Sequence, residues 1–271
     1  MEWKKTKNVI IFLLAVTNLF LMSFVVSELA EKEQQEEQAR SLAVLFLADR
    51  GIILAPETLP TEMTLESLEL TWDRSTEQKR SDKVLGKTTM ESLGGGVVRY
   101  YNEEGELRFH SGGEFYGTFH SHTVTGDFAD YGRDFLAKLD FEGVLESVEE
   151  QGEHTLYHYT QLFNGVPILG AESTLDFEGG QLRSITYGKH LLGEYQVTPN
   201  TSITVPTALM KFYEGHTSFG DICREITKIE PMYSTTTLLS GGASLVPIWW
   251  IETDTGSYQL DTTTGILLRE S

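Results

Sequence analysis

Near the N-terminus, in MEWKKTKNVIIFLLAVTNLFLMSFVV, nineteen consecutive residues from Asn8 to Val26 carry no formal charge. At about 1.5 Å per helical residue they span roughly the hydrocarbon core of a bilayer. A cleaved secretory signal has a shorter apolar region that ends in small residues. Here Val25, Val26, Ser27 and Glu28 follow instead, so an uncleaved anchor is expected. Orientation follows from charge. Lys4, Lys5 and Lys7 precede the run, whereas Glu28, Glu31, Glu33, Glu36 and Glu37 crowd its far end against Lys32 and Arg40. The expected layout is a single-pass protein of the cell membrane with a cytoplasmic tail over 1–7, a transmembrane helix over 8–27, and the rest extracytoplasmic. Trp3 suits the interfacial belt.

The remaining chain is acidic. The whole chain carries a formal charge of −19, and setting aside the three lysines and Glu2 before the anchor leaves −21 beyond Ser27. Such a surface repels phosphate backbones, which excludes a nucleic-acid partner, and it stands off anionic lipid. With 40% hydrophobic and 11% aromatic residues the chain can build a core. One cysteine, Cys223, permits no internal disulfide and no thiolate cluster for zinc, and reads as a small buried apolar residue.

Past the anchor, SELAEKEQQEEQARSLAVLFLADRG begins as a charged helical stalk and turns apolar at Ala39, Leu42, Ala43, Phe46 and Leu47. Those spacings of three and four predict a stalk and docking helix over 28–50, with Gly51 as C-terminal cap. From Met63 to Phe119 short alternating runs separated by glycine-rich turns predict hairpin strands. A helix is expected around DFADYGRDFLAKLDF, capped by Asp127 or Asp130, and another at TVPTALMKFYEG, with Thr204 as cap and Pro206 in its first turn. Between them strands resume at TLYHYTQLF, VPILGAESTLDF and QLRSITYG. EEGELRF and EGGQLRS place Gly105 and Gly180 seventy-five residues apart, and Gly117 and Gly193 keep nearly the same offset. Two tandem α+β units follow, over 51–150 and 151–271, each an antiparallel sheet packed with a helix.

Chemistry is sparse. His120 and His122 are two apart, which puts them on one face of a strand, and His154 and His158 lie about 13 Å apart on another. Neither pair has a neighbouring carboxylate or cysteine pattern that completes a closed metal site. There is no nucleophile elbow, and Gly94, Gly95 and Gly96 lack the ending of a phosphate loop and read as a turn. The expectation is a chain without catalytic residues, cofactor or metal. What stands out is polarity inside the anchor. An Asn facing lipid leaves its amide unpaired, whereas a neighbouring helix satisfies it. Asn18, Met22 and Val25 share a helical face, with Thr17 flanking it, as a partner-binding stripe.

The opening Glu2-Trp3-Lys4-Lys5-Thr6-Lys7, followed by an anchor containing Asn18-Leu19-Phe20-Leu21, resembles the N-terminus of the YycI family. Members regulate the WalK (YycG) sensor histidine kinase, in the WalK/WalR two-component system of low-GC Gram-positive bacteria. The stretch from Val246-Pro247-Ile248-Trp249-Trp250 through Tyr258-Gln259-Leu260-Asp261 to Thr264-Gly265, and NGVPILGAES at Asn164 to Ser173, resemble PepSY-type domains. The resemblance covers both ends and the second unit, and finds nothing between Thr61 and Tyr100. It implies PepSY-like ectodomain units and a non-catalytic regulator of cell-wall-related signal transduction. Such a regulator would pair with a YycH-like protein and act on the kinase through transmembrane contacts, in homo- or heterodimeric form. The other class of function left open is an extracytoplasmic PepSY-like protease inhibitor or chaperone-type module that binds through a strand edge or the acidic surface.

Overall fold

A computed structural model describes the backbone of residues 2–55, 58–60, 63, 65–72, 74–189, 191, 193–200, 202–238 and 242–270, with side chains undescribed at parts of the first helix and at four strand positions. The first element, α1 (Glu2–Asp49), is one continuous helix of 48 residues, about 70 Å long. Gly51 (φ +81°) ends it, with the Gly51 N–H donating to the Ala48 carbonyl and the Ile52 N–H to the Leu47 carbonyl. Among the described residues no helix is long and apolar enough to cross a membrane. Within the expected span, the side chains of residues 8–13, 15, 25 and 26 lie outside the described residues.

Beyond α1 the chain is α+β. After β1 (Ile53–Leu54) and β2 (Ser67–Trp72), a helix followed by a four-strand antiparallel meander occurs three times. First comes α2 (Glu77–Leu85) with β3 (Thr89–Gly94), β4 (Val97–Asn102), β5 (Gly105–His110) and β6 (Glu114–Thr123). Next comes α3 (Phe128–Lys138) with β7 (Gly143–Gln151), β8 (His154–Phe163), β9 (Val166–Glu178) and β10 (Gln181–Lys189). After β11 (Gly193–Thr198) the third is α4 (Val205–Phe219) with β12 (Glu225–Thr237), β13 (Ala243–Thr253), β14 (Gly256–Asp261) and β15 (Leu267–Arg269).

Two expectations change. The helix-plus-sheet unit is tripled rather than doubled, and the strands do not divide at residue 150. β10 pairs with β6 across that point, while β2 pairs far ahead in sequence with β11 and β13. The even spacing of Gly105 and Gly180 compared turns that are not equivalent. Gly105 stands between the second and third strands of its meander and Gly180 between the third and fourth. The counterpart of Gly105 is Gly256, and the two share φ values of +153° and +154°. A Cβ on Gly105 would come within 2.2 Å of the Thr118 carbonyl oxygen, so the turn admits no side chain.

The first two meanders share one core. α2 and α3 cover it with Leu85, Phe135, Leu136 and Leu139, against Leu107, Phe115 and Leu175 from the sheet. The third has its own core, where Leu47 from α1 and Phe212 from α4 meet Trp249, Tyr258 and Leu260. Leu68, Ile168, Tyr233 and Leu245 join the halves where β9 meets β12. Cys223 is buried, as its composition suggests, and burial pushes its thiol up to about 11.

Candidate functional site

The stripe singled out in the sequence lies on α1. Thr17, Asn18 and Met22 are exposed, and the Val25 side chain lies outside the described residues. Nor is exposure confined to that stripe. Leu14, Leu19, Phe20, Leu21, Met22 and Phe24 are each more than half exposed. Successive helical residues turn by about 100°, so these side chains face every direction round the axis. An all-round apolar helix is stable only inside an apolar surrounding. The Ser23 hydroxyl donates to the Phe20 carbonyl at 3.1 Å, so it is satisfied within the helix. Among the described residues the Asn18 amide has no side-chain partner, and it is the polar group in this stretch that gains most from a neighbour.

The other end of α1 is anchored in protein. Ala43 and Leu47 are buried and Phe46 packs beside them. The Phe46 ring meets Tyr213 of α4 edge-on with centroids 5.4 Å apart, and the Arg50 guanidinium lies 3.5 Å from the Phe46 centroid while donating to the Phe46 carbonyl at 3.1 Å. That cation also meets the negative end of the helix. Arg40 donates to the Pro60 carbonyl and lines a cavity of about 370 Å³ with Val44, Leu45 and Leu59. Leu42, expected to dock, is 65% exposed: α4 covers the arc through Ala43 and Leu47 and leaves Leu42 outside it. From Val26 to Ala43 an unbroken rod of about 25 Å connects the apolar segment to the third core.

The histidines separate. His120 and His122 do not share a strand face, because the β6–β10 register slips between Thr118 and His122. His122 turns inward against Phe119 and Phe135, with centroids 5.0 and 5.7 Å away, and burial lowers its pKa. His120 stays exposed, its Nδ1 on the Glu103 carbonyl at 3.1 Å. His158 Nδ1 lies 3.0 Å from the Thr174 hydroxyl. His154 does have a carboxylate, contrary to expectation: Asp176 on the neighbouring strand sits 2.9 Å from its Nδ1 and raises its pKa by hydrogen bonding and charge. β8–β9 pairing brings the two together from 22 residues apart, which local spacing does not reveal. Among the described residues no three His, Cys, Asp or Glu side chains gather into a metal-binding group.

No protein-family model matches this chain, and no curated protein sequence does. Among solved structures it is similar to the C-terminal domain of YpeB from Bacillus megaterium, with a TM-score of 0.38 and 9% identity over 74% of this chain and 99% of that one. It is also similar to an uncharacterized protein from Eubacterium rectale, with a TM-score of 0.43 and 9% identity over 80% and 85% of the two chains.

Proposed function

We propose that this chain is a single-pass, membrane-anchored regulator of a sensor histidine kinase of the WalK type. In this reading it has no catalytic role of its own, carries PepSY-like ectodomain units, and acts through its transmembrane helix together with a YycH-like partner. The observation that carries the reading is the two-ended character of α1, apolar on all sides between Leu14 and Phe24 and buried under α4 at Leu47. The N-terminal lysines and the glutamate-rich stalk support a cytoplasmic N-terminus. The YycI-like opening of the sequence supports the choice of partner.

Regulation by helix packing requires that the stripe of Thr17, Asn18, Met22 and Val25 fit one state of the kinase better than another. A difference of about 1–3 kcal/mol shifts activity several-fold to a hundredfold. Because α1 is continuous, any tilt or rotation imposed on the third core reaches the stripe through the rod. Exchange of residues 8–26 for an unrelated membrane helix tests this. Kinase-dependent reporter output is expected to revert to that of a deletion strain while the protein stays in the membrane fraction. Unchanged output, or mature protein released into the medium, refutes the proposal. An extracytoplasmic inhibitor or chaperone-type module would keep its effect through the exchange.

A further inference from the structure

β7 is the edge of a branch that leaves the long sheet through β8 and β9, and it pairs only with β8 among the described residues, which leaves one row of its backbone groups open. α3 runs alongside. Gly132 of that helix lies against Tyr159, where an added Cβ would come within 2.2 Å of the phenol oxygen, and the Tyr159 hydroxyl donates to the Ala129 carbonyl at 2.9 Å. Ala129 and Ala137, three residues before Gly132 and five after it, are too small to fill the space towards the sheet edge. A cavity of about 900 Å³ opens there between helix and strand. Phe141, Leu145, Tyr159 and Leu162 supply its apolar lining. Its size and character match sites that take a side chain or small ligand rather than a stray water.

Charge selects the occupant. Asp140 is held by Arg80 at 2.9 Å and Lys83 at 2.8 Å, and Arg133 by Asp130 at 2.8 Å. Among the described residues Asp134 and Glu142 make no ion pair, and both line the cavity. Further along the open edge, Glu149 and Glu150 are exposed. A second copy of this chain is a poor fit, since it brings a second β7 with Glu146, Glu149 and Glu150 and a second strongly acidic chain to the same edge. We propose that the groove between α3 and β7 binds an extended basic peptide by strand addition. The peptide backbone pairs with β7, one apolar side chain enters the cavity, and flanking lysine or arginine side chains meet Asp134 and Glu142. Alternation along a strand sends every second side chain towards α3, so the basic residues that meet Asp134 and Glu142 stand two before and two after the apolar anchor.

The test uses the full chain in maltoside micelles and fluorescein-labelled Lys-Lys-Val-Leu-Val-Lys-Lys, whose second and sixth lysines share the leucine's face of the strand, read by anisotropy. Saturable binding is expected. It should weaken tenfold or more when Ala137→Phe fills the cavity, or when proline replaces the central leucine of the peptide and blocks backbone pairing. Glu142→Lys should weaken it several-fold, and a Glu-for-Lys peptide should not bind. Circular dichroism establishes that Ala137→Phe is folded; should it not fold, Glu142→Lys and the proline peptide decide. Absence of saturable binding overturns the proposal. So does equal binding of the proline peptide, which signals only attraction to an acidic chain, and so does a dimer by light scattering that Ala137→Phe dissociates. None of these readouts depends on the membrane segment, so failure here and failure of the anchor exchange are distinct results.

Discussion

Leu42 and Leu47 are the same residue type on the same helix, five positions apart, and both belong to the apolar stripe of the stalk. Leu47 is 0% exposed and Leu42 is 65% exposed. Truncating a buried leucine to alanine costs about 2–5 kcal/mol, through lost transfer energy and the cavity left behind. An exposed one costs within about 0.5 kcal/mol. Trp249 is 1% exposed in the core that Leu47 enters, so its fluorescence reports opening of that core. With a urea dependence of about 1–3 kcal/mol per M, Leu47→Ala should lower the midpoint by about 1 M or more. Leu42→Ala should leave it nearly unchanged. Equal midpoints for the two variants would refute the docking of α1 on α4, and with it the idea of a rigid rod.

Three further outcomes follow from named contacts. His216 is 4% exposed, stacks on Phe212 with centroids 5.5 Å apart, and leaves Nε2 without a partner among the described residues. Burial lowers its pKa below 6.5 despite Asp221 and Asp254 nearby. The unfolded chain therefore takes the proton first, and stability should fall as pH drops below about 6.5, by at most about 1.4 kcal/mol per pH unit. His216→Phe should flatten that slope in urea titrations at pH 5 to 7. Arg80 is buried and ties α2 to Asp140 after α3; burial alone would raise that carboxyl, but Lys83 and Arg80 outweigh it and hold it low. Arg80→Ala should cost about 1–3 kcal/mol in chemical denaturation, and a loss under about 0.5 kcal/mol would show the pair to be inert. Finally, one alanine inserted at residue 34 turns the stripe of Thr17, Asn18 and Met22 by about 100° relative to the docked end of α1, whereas seven insertions nearly restore its phase. Reporter output should change with one insertion and recover with seven; indifference to phase would argue against transmission through α1.

What could be read beforehand depended on where each contact comes from. α3 was legible because Asp127 caps it, accepting from the Ala129 and Asp130 N–H groups, and because Phe135 and Leu139 repeat on one side. α2 was not, because only Val84 and Leu85 supply apolar packing while Glu77, Arg80 and Ser81 fill its other buried positions. Those charged groups are buried only because Arg74 and Asp140 meet them, and a hydrophobic pattern cannot anticipate that. Missing α2 hid the first of the three helix-and-meander units and made a triplication look like a duplication. The stripe on α1 was visible as a period, but its width is set by α4, which explains why Leu42 was placed inside. The His154–Asp176 pair required the β8–β9 register. The groove beside β7 was the least legible feature, since its signal is small side chains at Ala129, Gly132 and Ala137 opposite an edge strand that exposes Glu146, Glu149 and Glu150. Acidic residues on an open edge deter pairing with another acidic edge, and the same charges favour a basic strand. An edge built against self-association is therefore one that still selects a partner of opposite charge.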